Sequence, residues 1–282
     1  MLNCCIMMSL RADLHVHTTA SDGTLTPEQV VREAAKTGLG AVGIADHDTV
    51  AGIEPGLAAA SDAGIILVPG VEINTDYGKD EIHVLGYFVD HRSPALNAHL
   101  ERQRSARFER GKRIVERLTE MGVNVSFDRV QEIAGGGAIG RPHIARALVE
   151  AGYAGSMYGA FGKFLVRGAP AYVARHKLTP FQAVEMVREA GGVAVIAHPG
   201  INKHDELIPN LVEGGVQGIE AYHTEHSSVQ AEHYVQVARR CDLIVTGGSD
   251  SHGPDNLKTI AIGSVTVDVE VVSRLRELVP GR

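Results

Sequence analysis

Asp13-Leu14-His15-Val16-His17 is the stretch that decides how this chain folds. A strand sends residues i and i+2 to the same face, so His15 and His17 would point together while Leu14 and Val16 pack behind them. The apolar run gives way to Thr26-Pro27-Glu28, which reads as a helix start with Thr26 as N-cap and Pro27 at the first helical position. Val30, Val31, Ala34 and Ala35 then form an apolar face, and Gly38 stops the helix. The unit is strand, polar loop, helix, with potential metal ligands at the strand's carboxyl end. That is where barrel enzymes place their chemistry.

The same unit recurs outward from this point. Ala41 to Ala45 reads as a buried strand ending in Asp46-His47-Asp48, followed by a helix near Val50 to Ala63. Ile65 to Val68 leads into Gly70-Val71-Glu72, and Glu81 to Val89 reads as a strand carrying His83. Residues 93 to 178 break the rhythm with a long helical pattern from about Pro94 to Met121 and shorter helical pieces after it. The rhythm resumes with a helix over Thr179 to Ala190 and a strand over Val193 to Ala197 that ends in His198. A strand over Gly218 to Ala221, a helix over Val229 to Arg240 and a strand over Leu243 to Gly247 follow, before Ser249-Asp250-Ser251-His252. The expectation is an α/β protein: a barrel domain built from 9–92 and 179–282, with 93–178 inserted as a helical cap on the substrate side.

Composition narrows the function classes. The chain has 282 residues, 44% of them hydrophobic, and a formal charge of −7, which opposes a chain-wide attraction to nucleic acid. With 3 cysteines, Cys4 and Cys5 adjacent and Cys241 alone, neither a disulfide framework nor a thiolate zinc site can be built. This points to a reducing, cytoplasmic setting. Met1 to Met8 is apolar but lacks the basic start and length of a signal peptide, and no stretch suits a membrane span. The 14 histidines are where the information lies.

His15, His17, Asp22, His47, Glu72, His83, His198, Asp250 and His252 are too many ligands for one ion. Imidazoles and carboxylates without thiolate suit Mn²⁺, Fe²⁺ or Zn²⁺. Three divalent ions with a bridging carboxylate would use the whole set. Against Asp22, Glu72, Asp250 and one hydroxide they leave a net charge of about +2, matched to a phosphate dianion.

The segments Asp13-Leu14-His15-Val16-His17, Asp46-His47-Asp48, Ala197-His198-Pro199-Gly200 and Ser249-Asp250-Ser251-His252 resemble the four motifs of the PHP (polymerase and histidinol phosphatase) superfamily. The resemblance implies a distorted (β/α)7 barrel and a phosphoesterase with three divalent ions, Mn²⁺ first. It places His15, His17, Glu72 and Asp250 on one ion and Glu72, His83 and His198 on a second. Asp22, His47 and His252 fall to a third, and Asp46 supports from behind. The nucleophile would be a metal-bridged hydroxide, so no serine or cysteine is needed.

Asp22, where several histidinol phosphatases of the family carry a histidine, and the helical insertion both resemble one branch. That branch hydrolyses nucleoside 3′,5′-bisphosphates and trims short RNAs from the 5′ end. Gly140-Arg141-Pro142-His143, Gly162-Lys163-Phe164-Leu165 and Tyr222-His223-Thr224-Glu225-His226-Ser227 resemble its substrate-contacting segments, which implies phosphate contacts from Arg141, His143, Lys163 and His226. The expected substrate is a nucleotide or short RNA, with no membrane and no obligate protein partner.

Two readings compete. One keeps the site but takes histidinol phosphate, a sugar phosphate or phosphotyrosine; the insertion argues against the first of these. The other is a silent PHP module that only binds, against which all nine ligand positions are filled. Residues 101–117 hold seven basic and three acidic side chains, which read better as a solvated helix with Glu–Arg pairs than as an RNA track. Asp205 and Glu206 read as surface, and Gly135-Gly136-Gly137 as a link.

Overall fold

A computed structural model describes residues 10–137, 139–174, 178–254 and 259–281. Cys4, Cys5 and the segment from Met1 to Met8 lie outside the described residues. Strand β1 (Arg11–Val16) runs parallel to β2 (Ala41–Ile44), and β2 runs parallel to β3 (Ile66–Tyr77). The strand read over Ile65 to Val68 is longer than that and includes Gly70-Val71-Glu72. β3 passes straight through Pro69, which pairs with Ile44, and carries Glu72 in its interior.

β3 then turns back directly into β4 (Asp80–Tyr87), placing Asn74 opposite His83 and Glu72 opposite Leu85. β4 is antiparallel to both β3 and β5 (Val193–Ile196), while β6 (Val216–His223) and β7 (Ile244–Gly248) run parallel to β5. His83 therefore reaches the ligand end from the first half of a reversed strand, not from a strand's carboxyl end. This hairpin, in place of a helical crossover, is the distortion of the expected (β/α)7 barrel.

The sheet order β7-β6-β5-β4-β3-β2-β1 closes on itself just beyond β7, and a two-residue β8 (Val267–Asp268) lies against the start of β1. Val16 bridges to Ser251, the Asp250 N–H donates to the His15 carbonyl at 2.8 Å, and the His17 N–H donates to the Ser251 carbonyl at 2.9 Å. Asp13 accepts from the Ser249 and Gly263 amides at 2.9 and 2.8 Å, pinning the same seam. Gly248 is required there, since a Cβ on it would lie 2.4 Å from the His15 Cβ. The seam is what brings the two i, i+2 pairs together.

Helix α1 (Pro27–Lys36) begins with Thr26 and Gln29 in a reciprocal cap and buries Val30, Val31 and Ala34. Helices α2 (Ile53–Ala63), α7 (Pro180–Glu189), α8 (Ile208–Glu213), α9 (Ser228–Cys241) and α10 (Glu270–Glu277) flank the sheet. Between β4 and α7 stand α3 (Pro94–Glu120), α4 (Phe127–Ala134), α5 (Arg141–Glu150) and α6 (Met157–Ala160), then a π-helical turn over Phe161–Leu165. These pack around their own cluster, including Ile114, Leu118, Val130, Ile144, Leu148 and Phe164. α3 belongs to both bodies, because Leu96 and Leu100 pack in the barrel cluster with Val184 and Val187. Among the described residues no helix is long and apolar enough to cross a membrane.

Candidate metal centre

Glu72 is the centre of the site. It is 1% exposed, and its two oxygens face five histidines carried by four strands or their ends. His15 Nε2 and His17 Nε2 lie 3.5 and 3.4 Å from Oε2, and His47 Nδ1 lies 2.8 Å from the same oxygen. His83 Nδ1 and His198 Nε2 share Oε1 at 2.8 and 3.0 Å. Asp250 completes the first group, with Oδ1 at 3.0 Å from His17 Nε2 and 3.5 Å from His15 Nε2. Asp22 stands between His252 Nε2 at 3.4 Å and His47 Nε2 at 4.0 Å. The structure thus gathers all the candidate ligands read from the sequence into one cluster, linked through Glu72, His17 and Asp250.

Several residues the sequence reading did not single out hold that cluster in place. Glu220, fully buried on β6, accepts from His15 Nδ1–H at 3.0 Å and from the His198 amide at 2.8 Å. The first bond leaves His15 Nε2 as the ligand atom. His223, three residues on, sets Nε2 3.3 Å from Asp250 Oδ2, and it forms a potential ligand group with His15 and Asp250. The signal was present: an acid inside the apolar run Gly218-Ile219-Glu220-Ala221 is expensive to bury unless it is paired. On β3 the Asn74 side-chain nitrogen lies 3.0 Å from His47 Nδ1.

Asp46, expected to support a ligand from behind, contacts the loop after β1 and not an imidazole. Its oxygens accept from the Thr18 amide, the Thr18 hydroxyl and the Ser21 hydroxyl at 2.7, 2.7 and 2.6 Å. It so shapes the turn that presents Asp22. Asp48 and Asp250 both adopt left-handed backbone, φ 52° and 54°, and His198 has φ 25°. Strain of this kind persists where the surroundings fix it, and here it lies at the site.

Electrostatics show why the arrangement is incomplete as protein alone. Burial opposes charge on Glu72, yet His47, His83 and His15 hold its carboxyl well below the usual range. Burial likewise opposes charge on Asp250, which His15 and His17 keep low. Burial, with His252 and His47 beside it, drives the His17 imidazole down to about 3. Asp22 outweighs burial at His252 and raises it to about 10. His17 Nδ1, His83 Nε2, Asp250 Oδ1 and Glu72 Oε2 are buried with no hydrogen bond, the last despite the close but misaligned His47. Buried polar atoms left this way are costly. Oxygen and imidazole donors converging without hydrogen bonds fit divalent cations.

The expected phosphate contacts fare unequally. Arg141 and His143 open α5, whose first turns line a 270 Å³ cavity with Asp22, Thr19 and Arg146. Arg141 pairs with both Glu81 oxygens at 2.9 and 3.1 Å. His143 accepts from the Gly140 amide on Nδ1 at 3.0 Å, and burial lowers its pKa. Lys163 is exposed, bonded to the Tyr153 carbonyl at 3.4 Å and lying over Phe164. His226 has both nitrogens engaged by main chain, accepting from Gly200 at 3.0 Å and donating to Ala221 at 2.8 Å. The α3 reading needs correction. Arg104 does pair with Glu101, but Arg107 and Arg110 turn inward, to Asp48 and to the Val173 carbonyl. Asp205 is half-buried and Glu206 exposed, and both are paired, Asp205 with His233 and Tyr234 and Glu206 with His204.

The PHP domain matches residues 13–177. A 5′–3′ exoribonuclease Rnm from Escherichia coli is 38% identical over 86% of this chain and 85% of its own length. A 3′,5′-nucleoside bisphosphate phosphatase from Chromobacterium violaceum is 35% identical over 86% of this chain and 85% of its own length. Among solved structures, a candidate metal-dependent phosphoesterase from Bifidobacterium adolescentis superposes with a TM-score of 0.88 at 34% identity. That match covers 95% of this chain and 96% of the other.

Proposed function

The chain belongs to the PHP-domain family, and from that premise we propose that it is a metal-dependent phosphoesterase acting on nucleotides. It removes the 3′-phosphate of nucleoside 3′,5′-bisphosphates and trims short RNAs from the 5′ end. The observation that carries this reading is the convergence of buried imidazoles on the two oxygens of Glu72, with orphaned donor atoms around them.

We assign His15, His17, Glu72 and Asp250 to one divalent ion, with His223 at its edge. Glu72, His83 and His198 hold a second ion, and Asp22, His47 and His252 a third. Mn²⁺ is the first choice for a set of imidazoles and carboxylates. Divalent ions held there would supply a water of lowered pKa and neutralise phosphoryl oxygens.

The protein does the rest. Glu220 fixes the tautomer of His15 and the position of the His198 loop, and Asp46 fixes the turn carrying Asp22. Arg141 exchanges Glu81 for a substrate phosphate, and the free edge of His143 faces the cavity beside Asp22. Lys163 and His226 are further phosphate contacts in this reading, Lys163 through the donors left beyond its bond to the Tyr153 carbonyl and His226 by releasing a main-chain partner. The helical block covers the substrate side of the barrel, and catalysis needs no second protein. A cytoplasmic setting accords with the scarcity of cysteine.

The test is phosphate release from adenosine 3′,5′-bisphosphate by Mn²⁺-loaded protein, with a chelated sample beside it and a short 5′-phosphorylated RNA in parallel. Chelator-sensitive formation of 5′-AMP is expected. No turnover of either substrate, in protein shown to hold its metals, overturns the reading.

A further inference from the structure

Tyr158 is 86% exposed, on the one-turn helix α6, while the apolar side chains around it in the chain turn inward. Met157, Ala160, Phe161, Phe164 and Leu165 all pack into the cluster of the helical block. The Ser156 hydroxyl accepts from the Gly159 amide at 3.1 Å, which fixes the turn that carries the ring. The surface beside the ring is open. Gly155 and Gly162 are its neighbours along that face, and a Cβ added at either would meet nothing within 4 Å.

This platform adjoins the site. Met157, the residue before it, lines the 270 Å³ cavity with Asp22, His143 and Arg146. Residues 141–167 carry Arg141, Arg146, Lys163 and Arg167 against a single carboxylate, Glu150, which is paired with Arg129 of α4. Lys163, about one turn beyond Tyr158, donates to the Tyr153 carbonyl, and Arg167 donates to the Lys79 carbonyl. Carbonyl partners leave both charges uncancelled. A lone exposed aromatic is ordinary on a protein surface. An unobstructed ring among cations, at the rim of a cavity that reaches Asp22, has the make-up of a site for single-stranded nucleic acid. There a base stacks on the ring and the backbone is held by charge.

We propose that Tyr158 is a base-stacking residue that selects RNA chains over single nucleotides, receiving the nucleobase on the 3′ side of the scissile phosphate. The inference rests on the phosphoesterase reading and deepens it. A nucleoside 3′,5′-bisphosphate ends at its 3′-phosphate and has no base to lay on the ring. An RNA chain continues past that phosphate and must leave the site over the protein surface, where Lys163 and Arg167 meet its backbone.

The experiment measures kcat/KM of Mn²⁺-loaded wild-type, Tyr158→Ala and Tyr158→Phe proteins on adenosine 3′,5′-bisphosphate and on a short 5′-phosphorylated RNA. A third substrate is the same RNA with the base of its second nucleotide removed. Tyr158→Ala is expected to lower kcat/KM on the intact RNA roughly 5- to 100-fold, mainly through KM, and to leave the bisphosphate reaction unchanged. Tyr158→Phe, which keeps the ring, should behave as wild type. Removing the base should cost the wild type a similar factor and cost the alanine variant nothing further. An alanine variant that cleaves RNA as well as wild type, or that loses equally on RNA and bisphosphate, overturns the inference. So does a wild type that hydrolyses the bisphosphate but no RNA, which leaves the phosphatase reading intact. Metal-loaded wild type that turns over neither substrate removes both.

Discussion

Glu220 shows how much a single residue can decide. It takes the Nδ1 proton of His15 with one oxygen and the His198 amide with the other, so two ligands of different groups depend on one carboxylate. In Glu220→Gln the amide nitrogen must face one of these two donors. Metal affinity is expected to fall about 10- to 100-fold, the usual cost of losing such a partner. Metal titration against a chromophoric chelator reads this directly, and wild-type affinity would remove the role given to Glu220. His143 offers a second residue-level test. The Gly140 amide donates to Nδ1, and burial favours the neutral ring. Nitrogen NMR should therefore find the Nε2–H tautomer titrating below the ordinary value of about 6.5. A proton on Nδ1 at neutral pH would contradict the bond. The candidate ligands were legible in the sequence because His and Asp at strand ends are chemically distinctive. The partners that orient them were not, since Glu220 and Asn74 acquire meaning only from the neighbours folding gives them.

At the scale of elements, the decisive contact is between β1 and the chain leaving β7. His15 sits against Gly248 so closely that no side chain fits between them. Gly248→Ala should push β7 away from β1, lower stability by about 1–3 kcal/mol and loosen the first ligand group. Denaturant unfolding and metal content together check this, and a variant with wild-type values for both would show that the seam is not tight. Strand and helix positions were readable from periodicity and, at Thr26, from the cap, which is a reciprocal capping box in the structure. The direction of β4 was not readable. A reversed strand has the same alternation as a forward one, and only pairing with both β3 and β5 shows that His83 enters from its first half. The same holds for α3, where charge pattern suggested a solvated face. Arg107 and Arg110 point inward because the facing surfaces supply Asp48 and the Val173 carbonyl.

For the whole molecule, the site is a place where the barrel holds like groups together against their mutual repulsion. Glu72, Asp22 and Asp250 are buried among imidazoles, several of whose atoms lack any hydrogen bond. Bound cations favour the folded chain over the unfolded one by mass action. At a metal concentration about 100 times Kd each ion adds about 2.7 kcal/mol. Chelation should then lower Tm by about 5–10 °C for each such ion removed, given the usual 2–4 °C per kcal/mol in a domain of this size. Calorimetry with and without chelator tests this, and an unchanged Tm would mean that the cluster binds no ion in the folded state. By itself the sequence determined the alternating α/β architecture, the helical stretch between β4 and α7, the candidate ligand set and hence the kind of chemistry. Those follow from local periodicity and from residue types whose chemistry does not depend on context. Only the tertiary structure decided which atoms of those residues meet, which partners fix them and which arginines of α3 turn inward. Such contacts join residues as far apart in the chain as His15 and Glu220, and they exist only once the barrel has closed.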